Sequence, residues 1–586
     1  MFLFDEGSEI GRALKQCRRS FMAVGFFSLF TNVLLLVPSF YMLEVYDRVV
    51  SSRSVVTLTM LTLIMVILMV TYGALEWIRS RILIRISTRL ELLLSERVFN
   101  ASFKRALYSN GNASSTQPMS DLSGLRQFLT GNGLFAFFDA PWMPIYIGIM
   151  FFFHPWFGVL TVFGAAVALM LAFANEKMTG SRLAEANREH ASALSFAEKS
   201  LRNSEVVESM GMLPNLLKGW KTFGYRVLAL QGRASELGGA ISNISRTWRL
   251  LLQSFMLGLG AYLVINNEVT PGVMTAASLL TSRALAPIDQ MIANWKGFIT
   301  ARGQYARLNN VLQQIPIDPP RMPLPEPKGD LLVEQLVVTP PAGQLPVIRG
   351  ISFRAPPGAS VGVLGPSASG KSTLARALLG VWPAQAGKVR LDGADITQLD
   401  RAAIGCSIGY LPQDIELFEG SVAANIARFS EVDSQKVVAA AKLAGVHEMI
   451  LRLPQGYDTV LGAQAGVLSG GQRQRIGLAR AVYGDPKLVI LDEPNSNLDD
   501  VGEQALGQAL LQLKRNGTTL FVVTHRANVL AYVDNLLVLS EGQISMSGPR
   551  DQVLAQLQAK HGVPSPSLAG SGSLPSKSGE AGETRA

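Results

Sequence analysis

The sequence is short of charge and of cysteine. Only 17% of its 586 residues are Asp, Glu, Lys or Arg, whereas soluble domains average about 25%. The two cysteines, Cys17 and Cys406, both fall in segments that the distribution of charge assigns to the cytoplasm. We therefore expect neither a disulfide nor a cysteine-based metal site. A chain of this length can form two or more domains.

Long apolar segments take the place of the missing charge. A membrane-spanning helix needs about 20 mainly apolar residues, and the six candidate spans are residues 21–43, 55–77, 134–153, 157–174, 250–265 and about 273–292. The last two are weaker candidates, because one is short and the other contains Arg283 and Asp289. The first is too long for a secretory signal and lacks a small-residue cleavage site.

Lysine and arginine are distributed unevenly between the loops. Residues 78–133 hold eight and residues 177–249 hold eleven, whereas residues 44–54 hold two and residues 154–156 and 266–270 hold none. Because cytoplasmic loops carry the excess of positive charge, we expect both termini and the two long loops in the cytoplasm. This topology accounts for the net charge of +9 and leaves no reason to expect a nucleic-acid partner.

Apart from Glu76 at the end of the second segment, three charged residues fall inside the apolar segments, where charge is costly and often functional. Asp139 precedes two prolines that would kink the third span, and Arg283 and Asp289 lie six residues apart in the last. These side chains either line a translocation cavity, or reach the membrane interface or pair with one another. The sequence leaves both interpretations open.

The second half of the chain contains a phosphate-binding loop. GPSASGKS fits the pattern G-x-x-x-x-G-K-[ST] and follows an apolar run at residues 361–364. In such loops, backbone N–H groups surround nucleotide phosphates at the start of a helix, while the lysine adds a cation and the serine hydroxyl binds Mg²⁺. An isolated match could be only a structural turn, but four further motifs follow. The predicted nucleotide-binding residues are Gly365, Pro366, Ser367, Ala368, Ser369, Gly370, Lys371, Ser372 and Thr373, with Ser372 also a ligand of Mg²⁺.

An acidic pair follows another apolar run. Residues 488–491 indicate a buried strand that ends at Asp492 and Glu493, the position from which a parallel sheet delivers side chains to a bound nucleotide. We expect Asp492 to hold Mg²⁺, directly or through water, and Glu493 to act as the general base on the attacking water. The alternative is that two acidic residues merely end a strand.

The ordered motifs GPSASGKS, YLPQD, LSGGQRQR, VILDEPNSNLD and VTHR resemble those of the ATP-binding cassette (ABC) family. The resemblance implies an ATPase. It implies that Gln413 is the Q-loop residue, which senses the γ-phosphate and Mg²⁺ and contacts the membrane part. It also implies that His525 is the switch histidine, which contacts the γ-phosphate and positions water.

The signature LSGGQ implies a site shared by two chains. In the family, the signature of one chain closes over the phosphate loop of another, so a chain with one intact cassette is expected to act as a homodimer. The residues implied to contact nucleotide in this way are Ser469, Gly470, Gly471 and Gln472, together with Asp499 of the D-loop that links the two sites.

Two positions depart from the family pattern. Pro340 stands where many exporters have an aromatic residue that stacks on adenine, and Ala463 stands where exporters often have a glutamate that contacts the transmembrane domain. We therefore expect weaker adenine stacking and a weaker contact of that kind.

The resemblance also implies the fold class and the order of domains. We expect a multi-domain membrane protein in which a six-helix, all-α ABC exporter transmembrane domain precedes an α/β P-loop nucleotide-binding domain. The expected ranges are 1–20 for a cytoplasmic N-terminal segment, 21–312 for the transmembrane domain, 313–330 for a proline-rich linker, 331–560 for the ATPase domain and 561–586 for a disordered tail.

The two long loops have helical periodicity and resemble the cytoplasmic extensions of exporter helices. Breaks near residues 110–118 and 212–214 indicate short coupling helices, which would contact the cassette through residues 120–122 and 215–220. The alternative is a solvated helical hairpin without a coupling role.

The membrane half resembles one branch of the family, the permeases of bacterial type I secretion, particularly those that export alkaline proteases. The similar segments are PSFYMLEVYDRVVSSRS, FFDAPWMPIYIGIMFFFHPW, DLSGLRQFLTGNG, GMLPNLLKGW and PIDQMIANWKGFITARGQYARL. The resemblance implies a homodimer among the lipids of a Gram-negative inner membrane, a periplasmic adaptor, an outer-membrane channel and a secreted polypeptide with a C-terminal signal. Because the first span begins by residue 21, no N-terminal peptidase-like domain is expected.

Two other functions stay open at this point. One is the export of lipids or drugs by a homodimeric ABC exporter, and the other is an ABC protein that regulates or gates without pumping. A soluble ATPase acting on nucleic acid or ribosomes is excluded by the predicted spans.

Overall fold

The computed structural model describes residues 7–108, 116–317, 325–341, 343–462 and 468–561. Apart from Leu107 and Tyr108, they form two compact units that divide between Pro316 and Ile317. The predicted linker lies around this division, although residues 318–324 are outside the described residues, as are residues 562–586 of the predicted tail. The domain boundaries taken from the sequence stay a prediction.

The described part of the first unit is helical. Its helices, in chain order, are Glu9–Gln16, Arg18–Leu34, Val37–Glu44, the π-helix Val45–Val49, Val50–Ser52, Val55–Tyr108, Gln117–Thr130, Asn132–Asp139, the 3₁₀-helix Ala140–Trp142, Met143–Phe153, Pro155–Arg202, Ser204–Ser209, Leu213–Ile265, Pro271–Ala293 and Trp295–Gln314.

Among the described residues, five helical stretches are long and apolar enough to cross a membrane: Arg18–Ser52, Val55–Tyr108, Gly133–Phe153, Pro155–Arg202 and Leu213–Ile265. They contain the first five predicted spans. The sixth predicted span falls on Pro271–Ala293, whose 23 residues would extend about 34 Å. This helix is less apolar than the other five because it contains Arg283, Asp289 and several hydroxyl side chains, and much of its surface is buried among its neighbours.

Both long loops predicted to be helical begin as direct continuations of membrane helices, and the second also ends as one. Val55–Tyr108 has 54 residues, Pro155–Arg202 has 48 and Leu213–Ile265 has 53, so the longest extends about 80 Å, far beyond a hydrocarbon core of about 30 Å. The predicted break near residue 212 is present between Ser204–Ser209 and Leu213–Ile265. The other break lies mostly at residues 109–115, outside the described residues, and the coupling role of both regions stays a prediction.

Both aspartates of the predicted spans have arginine partners on other helices. Asp139 Oδ1 accepts a hydrogen bond of 3.0 Å from Nη1 of Arg79, a residue that the sequence assigned to a cytoplasmic loop but that is buried here. Asp289 Oδ2 lies 2.9 Å from Nε of Arg249. Asp289 therefore pairs with Arg249 and not with Arg283, whose side chain is exposed.

The second unit contains strands and helices. The strands of its described part are β1 Leu331–Val338, β2 Ile348–Ala355, β3 Ser360–Leu364, β4 Ala386–Leu391, β5 Ala394–Asp395, β6 Ile408–Leu411, β7 Gly420–Ser421, β8 Val460–Leu461, β9 Leu488–Asp492, β10 Thr519–Val523, β11 Asn535–Ser540 and β12 Gln543–Pro549. The central sheet has the order β12-β11-β3-β10-β9-β6, with every pair parallel except β11 and β12. A second sheet has the order β2-β1-β4-β5, and β7 pairs with β8.

Helices pack on both sides of the central sheet and form two hydrophobic cores. Every residue of β9 and β10 is buried, as expected for parallel strands that are covered on both faces. Side chains alternate between the cores, so that Val489 lies in one and Ile490 in the other. The helices are Lys371–Leu378, Arg401–Ile404, the 3₁₀-helix Gly405–Ser407, Val422–Ile426, Ser434–Leu443, His447–Leu451, the 3₁₀-helix Gly456–Asp458, Gly470–Val482, Asp500–Arg515, Ala527–Leu530 and Arg550–His561.

Candidate nucleotide-binding site

The predicted phosphate loop connects β3 to the helix Lys371–Leu378. Gly365 and Gly370 have φ values of 156° and 99°, and Ala368 is also left-handed at 65°. A Cβ atom on Gly365 would lie 2.4 Å from the carbonyl oxygen of Leu539. Glycine is therefore required at this position, because the loop passes directly against the neighbouring strand.

Several polar groups of the loop are turned inward. Lys371 Nζ donates to the carbonyl oxygens of Gly365 and Pro366, each at 2.9 Å, so its charge lies within the loop. Ser369 is buried, and its Oγ has no hydrogen-bond partner among the described residues. Ser367 is exposed at the tip of the loop, whereas the side chain of Thr373 is buried.

Asp492 ends β9 as a buried carboxylate next to the phosphate loop. Its side chain is hydrogen-bonded to Ser372, while its Oδ1 has no hydrogen-bond partner in the described part of the chain. Burial raises the pKa of the Asp492 carboxyl, and the charge of Glu493 raises it further. A buried carboxylate oxygen without a donor, beside a hydroxyl group, suits a hard divalent cation.

The structure places two other predicted catalytic residues, Gln413 and His525, beside Glu493. Gln413 follows β6 and His525 follows β10, and these two strands flank β9, so the carboxyl ends of all three strands lie side by side. Gln413 Nε2 donates to Glu493 Oε2 at 3.0 Å. His525 Nδ1 lies 3.5 Å from Glu493 Oε1. Glu493 itself has a left-handed φ of 51°.

The signature residues form the start of the helix Gly470–Val482, the signature helix. Ser469 Oγ accepts a hydrogen bond from the backbone N–H of Gln472, and Gln472 Oε1 accepts one from the N–H of Ser469. This reciprocal pair is a capping box, which leaves the main chain of Gly470 and Gly471 at an electropositive helix end.

Asp499 caps the next helix, Asp500–Arg515. Its Oδ1 accepts a hydrogen bond of 2.9 Å from the N–H of Gly502. The predicted D-loop residue thus fixes where that helix begins, and its contact with a second site stays a prediction.

One residue that the sequence did not single out links these elements. Gln474 lies in the signature helix, and its buried side chain is hydrogen-bonded to the main chain of Glu493, Pro494 and Asn497. The sequence shows only a glutamine between two arginines near the start of a helix. This pattern does not predict which main-chain groups the glutamine side chain contacts.

Of the two positions that depart from the family pattern, only Pro340 is among the described residues. Pro340 is half-buried and lies two residues beyond the end of β1, and its carbonyl oxygen accepts a hydrogen bond of 2.8 Å from the N–H of Gly343. Ala463 lies within residues 463–467, outside the described residues.

Comparison with known proteins identifies the family. The profile of the ABC transporter family matches residues 348–496, and that of the ABC transporter transmembrane region matches residues 21–287. The type I secretion system ATP-binding protein PrsD of Rhizobium meliloti (strain 1021) is 45% identical over 546 residues, which are 93% of this chain and 94% of that protein. The chain belongs to the type I secretion ATP-binding proteins, a family of ABC transporters.

Other relatives are more distant. The cyclolysin secretion/processing ATP-binding protein CyaB of Bordetella pertussis (strain Tohama I) is 28% identical, over 89% of this chain and 74% of that protein. The leukotoxin translocation ATP-binding protein LktB of Mannheimia haemolytica is 26% identical, over 92% and 77%. The structure of a bacterial Atm1-family ABC exporter with ATP bound has a TM-score of 0.78 and covers 94% of this chain and 99% of its own. At 22% identity it shows the fold alone.

Membership of the type I secretion family confirms several predictions. The fold class is confirmed, with an ABC exporter transmembrane region followed by an ABC ATPase domain. The use of ATP and the coupling of the ATPase to protein export are confirmed as well. The chain is a multi-pass membrane protein.

Proposed function

We propose that the chain works as a homodimer in the inner membrane of a Gram-negative cell, with its termini and ATPase domain in the cytoplasm. It exports an unfolded protein of the protease or RTX type that carries a C-terminal signal. The observation that carries this proposal is the 45% identity to PrsD along 93% of the chain. Relatives named for cyclolysin secretion and leukotoxin translocation support a large polypeptide as the passenger.

Glu493 is assigned as the general base. Its carboxylate accepts the proton of the attacking water, and the contacts of Gln413 and His525 with that carboxylate support the assignment. His525 is two-thirds exposed, so it can contact the γ-phosphate and the water from the open side. Gln413 keeps Glu493 oriented through its amide nitrogen.

Ser372, Asp492 and Gln413 are assigned to Mg²⁺. The donor-free Oδ1 of Asp492, the neighbouring hydroxyl of Ser372 and the amide oxygen of Gln413 are all hard oxygen ligands. When bound, Mg²⁺ neutralises charge on the β- and γ-phosphates.

The phosphates of ATP are assigned to the loop of residues 365–373. Lys371 carries the cation, and the backbone N–H groups at the start of the helix Lys371–Leu378 supply further donors. The signature and Asp499 of a second copy complete each site, so two equivalent sites form in the homodimer. Residues 469–472 suit this role because a capped helix start attracts anions.

The proposed partners follow from the same function. A periplasmic adaptor and an outer-membrane channel receive the passenger, so export needs all three components. The positive charge of residues 78–133 and 177–249 supports a cytoplasmic location for these segments.

Protein fusions test the proposed passenger. The C-terminal segment of a cognate passenger is fused to an unrelated, slowly folding protein in cells that contain all three components. We expect the fusion protein in the medium, and we expect no export when the segment is deleted or when Glu493→Gln is introduced.

Two outcomes would contradict this proposal. Export that persists without the C-terminal segment would show that this segment is not the export signal. Transport of dyes or lipids by the purified dimer alone, at rates that match its ATPase activity, would favour the lipid or drug exporter.

A further inference from the structure

We propose that Gln474 is a positioning residue that holds the catalytic Glu493 of its own chain by hydrogen bonds from the signature helix to the main chain. The inference rests on the proposed roles of Glu493 as base and of the signature in the site of the second copy. It assigns a function to a residue of LSGGQRQR outside the five signature positions.

The side chain of Gln474 uses its hydrogen-bonding groups on one short segment. Its Nε2 donates to the carbonyl oxygens of Glu493 at 3.2 Å and Pro494 at 2.5 Å, and its Oε1 accepts from the N–H of Asn497 at 3.0 Å. Only 1% of Gln474 is exposed. Leaving these buried groups without partners is costly, so the amide fixes residues 493–497 against the helix.

Glu493 needs such support because its backbone is strained. A left-handed φ of 51° is unfavourable for a residue with a side chain, and such conformations persist where the surroundings determine them. The N–H of Glu493 donates to the carbonyl oxygen of Val523 at 2.9 Å, and its C=O accepts from Gln474 Nε2 and from the N–H of Ser496, both at 3.2 Å. These bonds fix the peptide groups on both sides of the Glu493 Cα atom, and therefore the direction of its carboxylate. Gln474 is the one side chain among these partners, so it ties Glu493 to the signature helix.

A second contact presses the same segment against the signature. A Cβ atom on Gly471 would lie 2.7 Å from the carbonyl oxygen of Asn497. The first turn of the signature helix therefore packs on the chain that leads from the base to Asp499. Because this packing does not involve Gln474, the helix start remains supported when the amide is removed, and the loss falls on Glu493.

Each chain then contributes to both sites of the dimer. Its Glu493 acts at its own phosphate loop, while its signature closes the site of the second copy. Gln474 is in contact with the parts of the chain that serve both sites. If substitution of Gln474 displaces Glu493, it lowers activity at the site that contains the phosphate loop of the same chain. If substitution instead disturbs the signature, it lowers activity at the site that contains the phosphate loop of the second copy.

Two substitutions separate the hydrogen bonds from side-chain size. Gln474→Met keeps the length of the side chain and removes its polar groups. Gln474→Glu keeps an acceptor for the N–H of Asn497 but directs a carboxylate at the carbonyl oxygens of Glu493 and Pro494. Gln512→Glu is the matched control, because Gln512 is an exposed glutamine of the helix Asp500–Arg515 whose Nε2 donates, among the described residues, only to Asn516 at the C-terminal end of that same helix.

The test uses heterodimers of the full-length protein, made by co-expression with two affinity tags and measured as ATPase activity in nanodiscs. One chain carries Glu493→Gln, so a single site turns over. The Gln474 substitution is placed either on the chain with the intact Glu493 or on the Glu493→Gln chain. Both arrangements contain the same altered helix once, so a general loss of folding would affect them equally.

We expect kcat to fall by about 10-fold or more only when the substitution shares a chain with the intact Glu493, since small misplacements of a catalytic group have effects of this size. The KM for ATP should stay near its control value in both arrangements. Equal losses, a loss only in the other arrangement, no loss at all, or a fully active Gln474→Glu variant would each overturn the proposal.

The heterodimer without a Gln474 substitution tests the proposed function separately. With two independent composite sites it retains a measurable part of the wild-type rate. If this control has no activity, or if it keeps the full rate, the assignment of Glu493 or of the two equivalent sites fails, whatever the role of Gln474.

Discussion

The amide nitrogen of Gln413 lies 3.0 Å from Oε2 of Glu493, across the boundary between two parallel strands. The other carboxylate oxygen of Glu493 has His525 at 3.5 Å. The carboxylate is therefore held between two polar side chains that come from opposite sides of β9. Its position depends on the order of strands in the sheet and not on local sequence.

We expect Glu493→Gln to reduce ATP turnover by about 10²-fold or more, because the substitution removes the base but keeps size and hydrogen bonding. Nucleotide binding should survive. Steady-state ATPase rates and equilibrium binding of a fluorescent ATP analogue measure the two effects. A variant that keeps a near wild-type rate would remove Glu493 from its proposed role.

Lys371→Ala provides the contrasting result. Lys371 places its charge in the phosphate loop, and a charged hydrogen bond is worth about 1.5–3 kcal/mol. We expect ATP affinity itself to fall by about 10- to 100-fold. Unchanged affinity would show that the lysine does not contact the phosphates.

Adenine selectivity should be lower than in relatives, because Pro340 stands at about the position of the stacking aromatic residue. A stacking pair is worth roughly 1 kcal/mol, so GTP should compete with ATP better than in relatives with tyrosine there, and Pro340→Tyr should raise the affinity for ATP about five-fold. Competition titrations on the purified protein decide this. A strong preference for ATP in the unaltered protein would mean that another residue stacks on the base.

Asp492→Asn should stabilise the nucleotide-free protein while removing activity. Burial raises the pKa of the Asp492 carboxyl above its value in the unfolded chain, so at neutral pH ionisation favours the unfolded state. The gain in stability of Asp492→Asn over the unaltered protein should disappear as the pH falls below the pKa of Asp492 in the unfolded chain, because this carboxyl is then protonated in both the folded and the unfolded state. Thermal unfolding of both proteins in nanodiscs at several pH values measures this difference.

Asp534→Asn is the matched control with the opposite sign. Hydrogen bonding from Lys514 lowers the pKa of the Asp534 carboxyl, so its ionised form stabilises the folded state at neutral pH. This variant should therefore unfold at a lower temperature, with a difference that shrinks as the pH falls through the folded pKa. Similar shifts in both variants would contradict the argument from burial.

Arg79→Ala should destabilise the helical unit strongly. Arg79 lies between Glu76 and Asp139, at 2.9 and 3.0 Å, and removing one partner of a buried ion pair costs about 3–5 kcal/mol. Asp139→Asn should be milder, because an amide oxygen still accepts from Arg79. Arg81→Ala, two residues along the helix and exposed, is the control. Thermal unfolding of the detergent-solubilised protein compares the three, and equal effects at positions 79 and 81 would refute the argument.

The residues of the phosphate loop and the acidic pair could be predicted because each depends on a short sequence pattern. An apolar run before GPSASGKS predicts β3, and one before Asp492 predicts β9; both strands are present. The resemblance to the ABC family supplied Gln413 and His525, which no local pattern connects to Glu493. Their convergence follows from the sheet order.

Two relationships could not be predicted from the sequence. Arg79 lies just beyond an apolar run, so the charge count placed it in the cytoplasm, whereas it is buried against Asp139 from another helix. Gln474 resembles any polar residue of an amphipathic helix until the packing of residues 493–497 is known. In both cases the partner is distant in sequence and only the tertiary structure brings it near.

The close approach of Gly471 to the carbonyl oxygen of Asn497 affects how signature mutants are interpreted. A bulkier residue at position 471 cannot be accommodated without moving the chain that follows Glu493, even in a subunit without bound ATP. Inactivity of such a mutant therefore has two causes. The signature no longer fits the nucleotide bound by the second copy, and Glu493 of the mutant's own subunit is displaced. Ser469→Ala, which alters the exposed cap and leaves this clearance intact, is the cleaner substitution for separating them.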